Sequence, residues 1–296
     1  MAHRHRNFHR SLNRVAQLAA MLWVVMGMAM ADDLHVPASV EAGQAFSIPT
    51  EGSGQATFYV IGPDHVIKRG VNLGSEIQIQ AADVTAAGMY QVLVCSQACS
   101  SARFEVKAAQ PAKLSFFLHP SRVPVSTPDS IDATTLVFDR YWNLVLAPAA
   151  VDFHITPATG AGTSRKLESH NGIAWMRMDS TAHEGPVQVT AALGSAQEPR
   201  VIQQVAAEAC GLRMKAVPSG KSVVLETDPV RDCSGNPLPD GTVVSFTKVD
   251  EAGKSTVDTP IKKGVARTQF DLKGPAHISV ACGVVLGNEV AVNGKL

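Results

Sequence analysis

The chain has 296 residues, with 26 basic and 26 acidic side chains and only 5% aromatics. A balanced charge with no basic patch argues against a nucleic-acid partner, and apart from a short N-terminal run, itself below the length of a typical span, no apolar stretch approaches membrane-spanning length. Scattered histidines and five cysteines without a CxxC pair argue against a zinc cluster, and an odd cysteine count leaves at least one thiol unpaired or bonded to another molecule.

The N-terminus comes first. Arg4, Arg6, Arg10 and Arg14 precede the apolar run Val15 to Met30, and Ala29, Met30 and Ala31 supply small residues at a cleavage position. This arrangement predicts a secretory signal peptide over residues 1–31, with an uncleaved anchor as the competing reading. Removing the four arginines leaves 22 basic against 26 acidic residues, a net charge of about −4 from Asp32 onward. No cysteine sits near Ala31 to take a lipid, and no Asn-x-Ser/Thr acceptor occurs. The cysteines fit an oxidising compartment, so the expected location is extracytoplasmic: secreted, cell-surface or periplasmic.

From Asp32 onward, short runs of alternating or β-branched residues are punctuated by Gly, Pro, Asn and Asp every eight to twelve residues. No long stretch shows a 3.6-residue period. This pattern predicts an all-β chain built as a tandem array of β-sandwiches. Three units of sandwich size are expected, over residues 32–108, 111–207 and 208–296, with joints at Ala108 to Lys113 and Ala206 to Cys210. In the first unit, Asp83, Gly88 and Tyr90 read as a tyrosine corner, in which a Tyr hydroxyl ties a loop back to the backbone.

The second and third units repeat one another at a spacing near ninety residues. The stretch Asp139 to Phe153 shares its frame with Asp232 to Phe246: Asn143 matches Asn236, Val151 matches Val244, and Phe153 matches Phe246. Farther on, Asn171 to Met178 matches Lys263 to Phe270, and Gly185 to Gly194 matches Gly274 to Gly283. The Asp-x-x-x-Asn frame supplies a tight turn between two strands, because Asp and Asn side chains bond nearby backbone and Gly235 tolerates positive φ.

Asp232, Gly235, Asn236, Pro237, Gly241, Val244 and Phe246, with the later Gly264 to Ala266, resemble the turn-and-strand signature of bacterial immunoglobulin-like repeats of the invasin and intimin type. The resemblance covers roughly Pro111 to Leu296. In the second unit Trp142 replaces the turn Gly and Leu144 the Pro. The resemblance implies immunoglobulin-like sandwiches and, by analogy, adhesion or display at a surface.

In an immunoglobulin sandwich the first strand begins at the pole that also carries the turn after the second strand. Cys210 and Cys233 are therefore the favoured disulfide, Cys282 being a free buried thiol; Cys210–Cys282 is the rival pairing. Cys95 and Cys99 flank a three-residue turn and read as a cross-hairpin bridge or, alternatively, a redox pair.

Tyr141 and Trp142 are the best binding candidates, since adjacent turn aromatics stack on a sugar or anchor a protein. The competing reading packs them against the first unit. Pro218 to Ser222 ends like a phosphate loop but has Lys215 where the first Gly is required. No nucleophile elbow occurs, so no enzyme activity, catalytic residue, cofactor or metal is expected. The expected function is a structural or adhesion protein, a rigid spacer and protein-interaction module. Its partner would be a protein or a cell-surface component. A carbohydrate-binding accessory module and a periplasmic component of an envelope assembly are the alternatives.

Overall fold

The computed structural model describes residues Leu34 to Asn293; the expected signal peptide lies outside the described residues. These form two compact units, one ending at Ala108 and one beginning at Ala109. Among the described residues the only helix is a single 3-10 turn, Ala81–Asp83, and no helix is long and apolar enough to cross a membrane. The fold is all-β, as the alternating pattern implies.

The first unit contains β1 (Ser39–Glu41), β2 (Phe46–Pro49), β3 (Gln55–Ile61), β4 (Val66–Asn72), β5 (Glu76–Ile79), β6 (Gly88–Cys95) and β7 (Cys99–Lys107). One sheet has the order β1-β7-β6-β3-β4 and the other is β2-β5. In β3, Ala56, Phe58 and Val60 are buried while their neighbours face out, the period-two signature of a half-buried strand. Phe46 of β2 meets Phe104 of β7 edge-on at 5.2 Å, and Phe104 stacks on Tyr90 at 5.4 Å, which ties the two sheets together. Tyr90 is buried, but its hydroxyl has no well-formed hydrogen bond. Burial and then Asp64 push its pKa up, against a weak approach to the Ala86 backbone. The loop tie expected of the tyrosine corner is thus much weaker than the motif implies.

The second unit begins with β8 (Lys113–His119), β9 (Arg122–Pro124), β10 (Ile131–Phe138), β11 (Ala150–Pro157), β12 (Thr163–Glu168), β13 (Ile173–Met178), β14 (Gly185–Leu193) and β15 (Ala196–Val205). Their sheets are β13-β10-β8 and β12-β11-β14-β15-β9. Phe116 and Phe153, both fully buried, meet between these sheets at 5.9 Å. There follow β16 (Met214–Ser219), β17 (Ser222–Thr227), β18 (Val243–Asp250), β19 (Gly253–Pro260), β20 (Arg267–Asp271), β21 (Ala276–Cys282) and β22 (Val285–Val292). They make sheets β16-β17-β20 and β19-β18-β21-β22 around their own core, with Leu225, Phe246, Ile261 and Ile278 fully enclosed. Among the described residues no sheet mixes strands from the two sides of Val205.

The internal repeat has a direct structural meaning. β11 and β18 occupy equivalent places, each pairing with the next strand and with β14 or β21. Val151, Phe153, Val244 and Phe246 all sit at zero exposure. The phosphate-loop lookalike is the hairpin between β16 and β17, where Ser219 pairs with Ser222 and Gly220 has a φ of 62°.

Candidate functional site

Each repeated Asp-x-x-x-Asn frame folds into the same cage. Asp139 Oδ1 accepts the backbone N–H of Tyr141 at 2.8 Å and of Asn143 at 2.9 Å, while Oδ2 accepts from Asn143 Nδ2 at 2.8 Å and from the N–H of Ala109 at 2.9 Å. Asp232 repeats the set. Its Oδ1 accepts from Ser234 N and Asn236 N, both at 2.9 Å, and its Oδ2 from Asn236 Nδ2 and Ala207 N, both at 3.0 Å. Both carboxylates are buried. Burial pushes each pKa up, but the hydrogen bonds outweigh it, led by the Asn143 or Asn236 side chain. The net result is a carboxyl held below its ordinary value.

Trp142 and Gly235 share the fourth place of the turn, with φ of 71° and 86°. That place needs left-handed backbone, which Gly adopts freely and Trp only at a cost.

The cage does more than close a turn. Ala109 and Ala207 lie in the segments that lead into the two sandwiches, so each carboxylate grips the incoming chain. At the second joint, Asn236 reaches back to the preceding sandwich. Its Nδ2 donates to the Ala182 carbonyl at 2.9 Å, and its Oδ1 accepts from the Glu184 N–H at 3.3 Å. Ser126 and Ser234 hydroxyls add a bond at 2.7 Å. Sequence reasoning found the turn but missed what it holds, because Ala207 is 25 residues upstream and its position follows only from the topology.

The cysteines divide as two bridges and one thiol. Cys95 and Cys99 close the β6–β7 hairpin, and Cys210 joins Cys233 in the caged turn. Cys282 is free and buried at the end of β21. Burial, then Glu208, pushes its thiol pKa up, which keeps it in the unreactive protonated form. It lines an open groove of about 800 Å³ at the second joint, with Val125, Ala206, Leu238 and Pro239.

Tyr141 is half-buried beneath the Arg140 guanidinium, 4.7 Å from its ring centre. Trp142 is 59% exposed, with Lys113 Nζ 4.4 Å over its ring and the Phe138 ring at 5.5 Å. Trp142 therefore continues the outer face of the sheet β13-β10-β8. In β10, Ala133, Thr135 and Val137 face the core, so Thr134, Leu136 and Phe138 face out. The strand register places Trp175, Thr134 and Phe117 in one row across that face. Ile173 flanks Leu136 in the next row, and Lys113 flanks Phe138 in the one after. Trp175 is 62% and Phe117 is 56% exposed. Sequence reasoning overlooked both, since they are 58 positions apart in the chain and meet only through the register. Their alternation with buried Ala174, Met176 and Phe116 was the available signal.

Among the described residues no three His, Cys, Asp or Glu side chains gather as a metal site. His65, His154 and His277 instead hydrogen-bond at the surface to Asp64, Ser164 and Glu289.

No protein-family model matches the chain, and neither does any curated protein. Solved structures do. The Escherichia coli adhesin FdeC aligns with 88% of this chain and 95% of its own, at 15% identity and a TM-score of 0.57. Invasin, a bacterial integrin-binding protein, aligns with 88% of this chain and 58% of its own, at 13% identity and a TM-score of 0.49. The fold is therefore an immunoglobulin-like β-sandwich fold similar to that of FdeC.

Proposed function

We propose that the chain is an extracytoplasmic, adhesion-type surface protein made of three immunoglobulin-like modules, working as a stiff spacer that presents side-chain faces to a protein or cell-surface partner. The observation that carries this reading is the clasp at the second joint. A buried carboxylate grips Ala207, its partner Asn236 grips the preceding sandwich, and Cys210–Cys233 staples the same turn. A joint so tied costs a free chain its conformational entropy and is worth building only where successive modules must keep their orientation. The fold shared with an adhesin supports the role by analogy. Two disulfides fit an oxidising compartment outside the cytoplasm.

External protease on intact cells tests the location. The surface reading expects the protein to be lost while a periplasmic marker survives. Protection until the envelope is opened would instead make it a periplasmic assembly component.

A further inference from the structure

The aromatic face of the second sandwich is not required by its fold. The third sandwich has the same three-stranded sheet, and there the row equivalent to Trp175, Thr134 and Phe117 is Arg267, Glu226 and Lys215. That row is solvated charge, with Arg267 3.7 Å from Glu226. The same backbone thus holds either charge or aromatics. Both tryptophans that follow the predicted cleavage site, Trp142 and Trp175, lie on this one face. Exposed apolar residues scattered singly need no explanation, whereas a contiguous patch does.

The dimensions of the patch choose its occupant. From the row of Asp132 to that of Phe138 is six residues, about 20 Å, and from β8 to β13 is two strand spacings, about 10 Å. The stripe alone, a flat footprint of about 200 Å², is smaller than a stable protein interface or homodimer, which buries roughly 800 Å² of accessible surface per partner, so such a partner would have to reach well beyond it. An extended peptide is also a poor fit. The sheet's hydrogen bonds run in its own plane, so a strand laid on its face would find no backbone ladder there to give it affinity. A chain of pyranose rings has the complementary chemistry. Its C–H faces cover aromatic rings, and its equatorial hydroxyls stay in water or reach polar side chains at the rim. The Arg177–Asp132 pair, at 2.8 Å, borders the stripe at one end and Lys113 at the other.

We propose that this face, with Trp175 and Phe117 at its centre and Trp142 at one end, binds a β-linked oligosaccharide of a few sugar units. The proposal rests on the adhesion reading and names the class of its surface partner.

The test titrates the full chain with cello-, chito- and uronate-containing oligosaccharides, read by tryptophan fluorescence and calorimetry. Saturable binding of at least one is expected. Loss of one stacking platform in Trp175→Ala should weaken it by about ten-fold or more, with Phe117→Ala weakened less and Arg267→Ala unchanged. All three positions are exposed, so thermal unfolding should move by no more than a degree or two and exclude misfolding as the cause. Absence of binding, or binding indifferent to Trp175→Ala, would overturn the proposal. So would a homodimer that Trp175→Ala dissociates, which would assign the face to self-association. Adherence of cells displaying the two forms separates the layers. Cells that adhere equally well with Trp175→Ala keep the adhesion reading and lose this one; binding by the purified chain without adherence does the reverse.

Discussion

The two sandwiches of the second unit share one frame and differ in how they use it. Both carry the same caged turn, with the buried carboxylate accepting from four nitrogen donors in each. In the third sandwich the left-handed place is Gly235 and the turn is stapled by Cys210–Cys233. In the second it is Trp142, braced by Phe138 and Lys113. The Asp–Asn pair, not the glycine, therefore defines the turn. The fourth place is free to differ between the copies: a glycine beside a disulfide in one, an exposed aromatic in the other. The outer sheet faces divide in the same way, charge in one and aromatics in the other.

Substitutions can break this comparison, and the largest effect should come from the carboxylates. Asp232→Ala leaves several N–H donors buried without an acceptor and should cost about 3–5 kcal/mol in denaturant unfolding, with Asp139→Ala within about 1 kcal/mol of it. A large gap between the two would mean that the cages are not equivalent. The pH dependence follows from the same groups. Their folded pKa lies below the unfolded value of about 3.9, so their stabilisation is complete above that pH and is lost as pH falls through the folded pKa. Acid unfolding should be steeper in the wild type than in an Asp139→Asn, Asp232→Asn double variant that still folds.

Next in size is the staple. Cys210→Ser with Cys233→Ser opens a 23-residue separation and should cost about 3 kcal/mol, measured against the wild type under non-reducing conditions. Smaller again, Gly235→Ala forces a Cβ into left-handed backbone and should cost about 1 kcal/mol. Trp142→Gly removes the same strain together with the packing on Phe138 and Lys113. Those two opposing changes should leave stability within about 1 kcal/mol of the wild type. A loss of several kcal/mol would show that Trp142 is a structural residue rather than a presented one.

The strands were legible because their burial is local. Val151, Phe153, Val244 and Phe246 announce an inward face by alternation alone, and the repeated Asp–Asn frame announces a turn. What was illegible is long-range. The grip of Asp232 on Ala207, and the meeting of Trp175 with Phe117 across β10, depend on strand order and register, which no single segment encodes. The hydroxyl of Tyr90 failed for a subtler reason. The motif places the residue and buries the ring, but the final bond depends on loop geometry that the motif does not specify.

The stiffness of the second joint is the claim on which the spacer role stands, and a distance distribution measures it. Spin labels on non-canonical side chains at exposed Gln188 and Ser255 leave the cysteines intact and report one position on each side of the joint. Pulsed electron resonance should give a single narrow distribution in the wild type, broadened in Asn236→Ala, which loses its bond to Ala182. A broad distribution in the wild type, no different from that of Asn236→Ala, would refute the clasp and with it the spacer.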